Sequence, residues 1–223
     1  MKRVIFTLRR KNPYRGLSGI HLPDTEEIRS FFRRGGSIIF FLSALIAGLV
    51  AGTLSVNGFS EKALNSLDFL FMTNLPEKLK GGITGAFFAS FASDFLFLGA
   101  AVFLALSLTG VVFLPATAFF KGFGTGVSAA YLISNYGIKG VLFYFCVILP
   151  GVFIFGMILV NELSAGLSIY KKVFLNLFRG RNYPLKGAFK MFMKKSLKNL
   201  LFTFGASVLD AVLWFLFAGL FNF

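Results

Sequence analysis

Residues 95–134 read FLFLGAAVFLALSLTGVVFLPATAFFKGFGTGVSAAYLIS, forty residues interrupted by a single charged side chain, Lys121. A membrane-spanning helix needs about twenty apolar residues, so this run is too long for one crossing and long enough for two. Pro115 and the pair Lys121-Gly122 mark where the chain is expected to turn between the two crossings. The run therefore predicts two consecutive helices in a lipid bilayer.

The composition of the whole chain supports the same class of protein. Hydrophobic residues make up 56% of its 223 positions, the chain holds 32 Phe, and its mean hydropathy is +0.76. A soluble domain of this length does not bury so much apolar surface. We therefore predict an all-α polytopic membrane protein with about five transmembrane helices. The predicted spans cover residues 37–56, 94–114, 117–134, 138–160 and 199–220, with a turn at residues 134–137.

The basic residues are segregated between the predicted spans. Residues 1–36 and residues 161–198 each hold nine Lys or Arg, whereas the predicted outer segment, residues 57–93, is nearly balanced in charge. With Lys121 added, a cytoplasmic N terminus places nineteen basic residues inside and four outside. Because cytoplasmic loops carry the excess of Lys and Arg, we expect the N terminus inside and the C terminus outside. The net charge of +14 then indicates contact with anionic membrane lipids rather than with nucleic acid.

Two segments outside the predicted spans have amphipathic patterns. Apolar residues between positions 64 and 71 recur at helical spacing, so we expect a helix on the membrane surface that ends at Pro76, with Gly81-Gly82 as a further break. In residues 185–200, apolar positions accompany lysines in the pattern of a helix that lies on an anionic inner leaflet.

The sequence offers no set of residues for catalysis or for holding a cofactor. Cys146 is the only cysteine and lies in an apolar span, and His21 is the only histidine. Metal sites built on several histidines or thiolates, and Ser/His/Asp or Cys/His nucleophilic arrangements, are therefore excluded within this chain. We predict a protein that is not an enzyme and that holds neither a metal nor another cofactor.

Three ionisable residues in or beside the predicted spans are candidate functional positions. Asp210 lies near the middle of the fifth span, where a carboxylate exposed to lipid costs at least about 2.5 kcal/mol. It is therefore expected to face protein, a partner or water, as an ion or proton site or in an interhelical hydrogen bond. Lys121 is its candidate partner, unless the Lys121 side chain extends to the cytoplasmic interface. Glu162 directly follows the fourth span and is expected to close a polar cluster on the same side.

Glycines mark candidate packing positions on two of the spans. Gly48 and Gly52 on the first span are four residues apart, and so are Gly122 and Gly126 on the third, with Gly124 between them. Small faces of this kind let another helix approach closely or allow a local break in the helix.

A proline marks a candidate irregularity in the fourth span. Pro150 is followed by Gly151 and is expected to kink or break the helix, because proline removes one helical hydrogen bond. Such a site suits the discontinuous helix of a transporter, and it equally suits static packing.

Three motifs in residues 120–150 carry a resemblance to a known family. They are the segment Phe120-Lys121-Gly122-Phe123-Gly124-Thr125-Gly126, the turn Asn135-Tyr136-Gly137-Ile138-Lys139-Gly140, and Ile148-Leu149-Pro150. Together they resemble the stage II sporulation protein M family, and a weaker likeness covers most of the chain from about residue 30. Many wider family members have a His-Gly pair and an acidic residue after the proline. Here Gly151 follows Pro150 without a histidine, and Glu162 lies three turns further on.

The resemblance implies a multi-span membrane protein without chemistry of its own. The family member in endospore formers anchors peptidoglycan hydrolases in the mother-cell membrane while it engulfs the forespore. We therefore expect a non-catalytic scaffold in a bacterial cell membrane, with wall hydrolases as partners on the outer face at residues 57–93 and 135–139. Homo-oligomerisation stays open. The alternative is a transporter or permease subunit that uses Asp210 and Lys121 in a polar intramembrane site.

Overall fold

The computed structural model of the chain describes residues 25–58, 75–107, 110–179 and 185–218, and every element in them is helical. The helices are α1 (Thr25–Ser55), α2 (Leu75–Leu106), α3 (Gly110–Phe143), α4 (Leu149–Arg179) and α5 (Leu185–Ala218). A short 3₁₀ turn, Val56–Gly58, follows α1, and a π-helical turn, Tyr144–Ile148, joins α3 to α4. The predicted all-helical class is confirmed for this part of the chain.

Within the described residues, four helical runs are long and apolar enough to cross a membrane. They are Gly35–Ser55, Ile83–Leu106, Gly110–Phe178 and Leu185–Phe217. The chain also divides into two compact units, Met1–Gly35 and Gly36–Phe223. All the packing described below belongs to the second unit.

The turn predicted at Pro115 and Lys121-Gly122 is wrong. The helix α2 ends at Leu106, and α3 already begins at Gly110, so that both predicted turn markers lie inside α3. The reason is steric: a Cβ atom on Gly110 would lie 1.7 Å from the carbonyl oxygen of Leu104. Only glycine permits this approach of backbone to backbone, whereas Pro115 is tolerated in the second turn of α3, at the loss of one N–H donor.

The breaks predicted before the second span are also absent. Pro76 is the second residue of α2, a position where proline fits because the first N–H groups of a helix have no intrahelical partner. Gly81-Gly82 lies inside the same continuous helix. The predicted span at residues 94–114 is therefore replaced by a helix that begins at Leu75 and ends at Leu106. The predicted surface helix at residues 64–71 lies outside the described residues.

The turn predicted at residues 134–137 is confirmed. Gly137 has a φ of 55° and a ψ of −131°, a conformation outside the helical region that glycine adopts without strain. Beyond it the chain returns along itself, since a Cβ atom on Gly140 would lie 2.1 Å from the carbonyl oxygen of Leu132. Phe143, Val147 and Trp214 of α5 pack in one buried cluster with Leu132 and seal this hairpin.

The contacts between helices define their relative directions. The helix α2 runs antiparallel to α5, because Phe87 contacts Phe204 with ring centroids 5.4 Å apart while Ala105, near the other end of α2, packs with Phe192. The helix α4 is also antiparallel to α5. The helix α5 runs without a break from Leu185 to Ala218. The basic residues of 185–198 therefore belong to the same helix as the last predicted span and do not form a separate surface helix.

The two predicted glycine faces pack against each other, and this contact joins α1 to α3. A Cβ atom on Gly48 would lie 2.0 Å from the carbonyl oxygen of Phe119, and one on Gly126 would lie 2.1 Å from that of Leu49. Gly52 and Gly122 alternate with them along the same crossing, and Cβ atoms on these two residues would lie 2.1 and 2.0 Å from a carbonyl oxygen of the opposite helix. Later residues of α1 meet later residues of α3, so the two helices are parallel.

Gly122→Ala tests this crossing, because the added methyl group must displace the backbone of α1 at Leu45. We expect a loss of about 1–3 kcal/mol in the free energy of unfolding, measured by denaturant titration in detergent micelles. Gly99→Ala is the matched control, since a Cβ atom there meets nothing within 4 Å. Equal stability of the two variants would contradict the backbone contact.

Candidate intramembrane polar site

Two helices present buried polar side chains on one face at a spacing of three or four residues. On α5 these are Ser196, Asn199, Thr203 and Ser207, and on α2 they are Ser90, Ser93 and Asp94. The Thr203 and Ser207 hydroxyls donate to the carbonyl oxygens four residues earlier, at 2.9 and 3.0 Å. Because each of these hydroxyls has a local acceptor, both side chains can be buried between helices without an unpaired donor.

Lys121 occupies the junction of α2, α3 and α4. Its ammonium group lies 2.7 Å from an Asp94 carboxylate oxygen and donates to the Ser93 hydroxyl at 3.1 Å. The same nitrogen lies 4.8 Å from the ring centroid of Phe155 on α4 and 5.1 Å from that of Phe97 on α2. Only 12% of the Lys121 side chain and 13% of the Asp94 side chain are exposed. An ammonium ion enclosed by a carboxylate, a hydroxyl and two aromatic faces is stabilised by both ion pairing and cation–π attraction.

The predicted pairing of Lys121 with Asp210 is wrong: Lys121 pairs with Asp94, and its ammonium group is enclosed between α2, α3 and α4. Sequence reasoning missed Asp94 because the turn was expected at Pro115, which placed Asp94 at the start of a span. With the turn between Leu106 and Gly110, Asp94 lies well inside α2, more than three turns before its end. The available signal was that Asp94 is an acidic residue directly before the apolar run that contains Lys121.

Asp210 of α5 contacts α2 and α4 instead. Its carboxylate accepts a hydrogen bond from the Ser90 hydroxyl. A Cβ atom on Gly151 would lie 2.9 Å from the Asp210 Oδ1 atom, so the absence of a side chain at residue 151 makes room for the carboxylate. Of the two predictions made for Asp210, the interhelical hydrogen bond agrees with this geometry.

Pro150 is accommodated by the π-helical turn that precedes it. The backbone N–H of Leu149 donates to the carbonyl oxygen of Tyr144, five residues earlier, and the helix continues beyond to Arg179. Proline has no N–H to donate, and the wider π-helical turn accommodates this missing hydrogen bond without ending the helix. The predicted irregularity is therefore a π-helical turn and not a break in the helix.

Glu162 is the most deeply buried ionisable residue among those described, with 1% of its surface exposed. Its carboxylate accepts hydrogen bonds from the Ser196 hydroxyl and, at 2.6 Å, from the Asn199 amide of α5. The nearby Ser164 hydroxyl is buried without a hydrogen-bond partner. Glu162 thus closes a polar cluster with α5, and the structure pairs Lys121, Asp210 and Glu162 with three different sets of residues.

The remaining candidate positions serve helix packing. Gly122 and Gly126 form the crossing with α1, and Gly124 between them is buried and accepts a hydrogen bond from the Ser128 hydroxyl at 2.9 Å through its carbonyl oxygen. A cleft of about 480 Å³ opens between α2 and α3, and its described lining carries no charged group. Its walls are Leu96, Phe97, Ala100, Leu104, Phe113, Ala116, Thr117 and Phe120.

The described residues contain no group of three or more His, Cys, Asp or Glu side chains that could hold a metal ion. No protein-family model, curated protein or solved structure matches this chain. What the polar groups can do is therefore inferred from their own contacts. Each joins two or three helices by hydrogen bonds or ion pairing in an otherwise apolar interior, where polar contacts between helices contribute on the order of 1 kcal/mol.

The Lys121–Asp94 pair is testable with a double-mutant cycle. Lys121→Met removes the charge but keeps the length of the side chain, and it leaves the Asp94 carboxylate without its counter-ion. We expect this variant and Asp94→Leu each to lose about 3 kcal/mol of unfolding free energy in micelles. The double variant should recover most of that loss, because no uncompensated charge remains. Strictly additive losses would contradict a direct pair.

The Glu162 cluster makes a separate prediction. Asn199→Leu keeps the approximate volume but removes the amide that donates to Glu162, so we expect a loss of about 1–3 kcal/mol of unfolding free energy. Asn135→Leu, at an exposed position, should change stability by less than about 0.5 kcal/mol. If both variants lose the same amount, the Asn199 contact contributes nothing specific.

Proposed function

We propose that the chain is a non-catalytic integral membrane scaffold that crosses the bilayer five times, with its N terminus inside and its C terminus outside. The run Gly110–Phe178 supports the fifth crossing, because 69 helical residues would extend about 100 Å, three times the thickness of the hydrocarbon core. That run reverses at Gly137, so each of its two arms provides one span. With Lys121 inside α3, eighteen of the 23 basic residues then lie on the cytoplasmic side.

One observation carries the scaffold role. The ionisable side chains Asp94, Lys121, Glu162 and Asp210 each contact a side chain or backbone of a neighbouring helix in the interior of the helix bundle. In hydrocarbon, such contacts hold helices in one arrangement and discriminate against others. This is the use of polar residues expected in a protein that presents a fixed surface to partners.

The proposed partners are peptidoglycan hydrolases on the outer side of the membrane, and the proposed location is the mother-cell membrane of a spore-forming bacterium during engulfment. The resemblance of residues 120–150 to the stage II sporulation protein M family supports both. The predicted outer segment shortens to residues 57–82, because the apolar run of α2 already begins at Ile83. The surfaces available to such partners are this shortened segment and the short turn at residues 135–139. In the five-span arrangement both lie at the same end of the bundle.

The topology can be tested with single cysteines in a Cys146→Ser background. Lys139→Cys should react with a membrane-impermeant maleimide added to intact cells, because residue 139 follows the outer turn at Gly137. Lys186→Cys, exposed at the start of α5, should react only after the membrane is permeabilised. Labelling of both positions from the same side would contradict the five-span arrangement.

The scaffold role can be tested by capture from sporulating cells. A tagged copy should recover cell-wall hydrolases, and a variant in which residues 57–82 are replaced by a neutral linker should recover none while still reaching the membrane. Normal engulfment in a deletion strain, together with no recovered hydrolase, would contradict the proposal.

A transporter or permease subunit is the second candidate, favoured by the π-helical turn beside the Gly151–Asp210 contact. Asp210→Asn removes the charge, whereas Ser90→Ala removes the same hydrogen bond and keeps the carboxylate. If Asp210 serves transport, only Asp210→Asn should abolish solute flux at normal protein abundance. Lowered abundance in both variants, with flux unchanged, indicates packing.

A further inference from the structure

The outward face of α5 changes its chemistry along one continuous helix. In the membrane part, the exposed side chains on this face are wholly apolar and include Leu201, Val208 and Val212. Towards the start of the helix, the same face carries Lys198, Lys194, Lys190 and Lys186, one at every fourth position and all exposed. Leu197, Met193 and Phe189 stand beside these lysines and are also exposed. The basic face is therefore a direct extension of the face that the span presents to lipid.

The level of the membrane boundary follows from the packing of three helices. Ala105, one residue before the end of α2, packs with Ile169 of α4 and Phe192 of α5. The helix α4 continues to Arg179 and α5 begins at Leu185, so both extend about 10–15 Å beyond the end of α2. The headgroup layer of one leaflet is about 5–8 Å thick. Along the axis of α5, Lys190 and Lys194 lie within about 3 Å of Phe192 and therefore near the boundary. Lys198 lies about 9 Å deeper, so its side chain must extend towards the headgroups to reach a phospholipid phosphate.

The contacts of two lysines show which of them face lipid. The Lys198 ammonium group lies 5.5 Å from the ring centroid of Phe202, on the side of the helix that is exposed. The Lys195 ammonium group instead donates to the carbonyl oxygen of Asn161 on α4 at 3.4 Å, and its side chain is partly buried. The Lys195 ammonium group therefore contacts α4, whereas the side chains of Lys186, Lys190, Lys194 and Lys198 are exposed.

We propose that this face binds an anionic phospholipid, whose phosphate pairs with Lys190, Lys194 and Lys198 and whose acyl chains pack along Leu197 and Leu201. The charge balance supports an anionic ligand, because the chain contains no acidic residue between Glu162 and Asp210 and Glu162 is buried. The exposed apolar side chains between the lysines support a lipid, since a soluble anion or a nucleic acid would leave them without cover. The inference rests on the membrane location of α5 and is independent of the scaffold role.

The test uses the full purified chain in an uncharged detergent and follows its Tm while phosphatidylglycerol or phosphatidylcholine is added. The unaltered protein should be stabilised by phosphatidylglycerol and not by phosphatidylcholine. The variant Lys190→Gln/Lys194→Gln/Lys198→Gln should need about a hundredfold more phosphatidylglycerol for the same shift, about fivefold per lysine at low salt. Its Tm without lipid should equal that of the unaltered protein, because the three side chains are exposed.

A control with the same change in net charge is Lys78→Gln/Lys80→Gln/Lys139→Gln, at the opposite end of the bundle, and it should respond to phosphatidylglycerol like the unaltered protein. Equal responses of the two triple variants would overturn the proposal. So would an equal effect of phosphatidylcholine. Glycerol 3-phosphate, the headgroup phosphate without acyl chains, should give no shift. A shift with it at matched concentration, or displacement of the lipid by a single-stranded oligonucleotide through the same lysines, would assign the face to another ligand.

Discussion

The absence of a hydrophobic driving force between helices in lipid is the constraint on which the rest of this structure depends. Lipid tails are as apolar as leucine, so helices gain little from hiding Leu or Phe from one another. What remains is close backbone contact and polar bonding. The chain uses the first between α1 and α3, where four glycines bring carbonyl oxygens to within van der Waals contact of the opposite helix. It uses the second between α2, α3, α4 and α5.

The polar contacts are distributed so that no helix of this second group depends on a single bond. Lys121 joins α3 to α2 through Asp94 and to α4 through the Phe155 ring, and Asp210 joins α5 to α2 through Ser90. Glu162 joins α4 to α5 at a third position. Sliding by one turn between α2 and α3, between α2 and α5 or between α4 and α5 would leave a carboxylate or an ammonium ion buried without its partner. This penalty is larger than the gain from any single bond, which explains how a bundle of generic apolar surfaces adopts one register.

Composition and the length of the apolar runs were sufficient to predict the helical class. The four-residue spacing of glycines predicted the glycine faces, and the turn-forming residues 134–137 predicted the reversal at Gly137. The position of the turn after α2 was not predictable in the same way. Proline is a stronger helix breaker than glycine, but the turn forms where Gly110 can pass against the Leu104 carbonyl. That contact depends on two residues together and cannot be read from either one alone. That error moved Asp94 out of the interior and left Lys121 with Asp210 as its only apparent partner. A shift of one boundary by about two turns thus changed the predicted site as well as the predicted fold.

The lysines of α5 connect the topology to the lipid. Basic residues on cytoplasmic loops are usually discussed as signals read during membrane insertion. In this chain they stand on the lipid-facing side of a helix that enters the bilayer without a break, and Phe189, Met193 and Leu197 separate them. The positive-inside bias depends on how many basic residues lie on each side of the membrane and not on which helix face carries them. Charges needed only for insertion therefore have no reason to keep a regular four-residue repeat on one face of the helix. The repeat is instead what the proposed binding face for anionic headgroups requires. In the proposed topology the same residues would also orient the chain during synthesis.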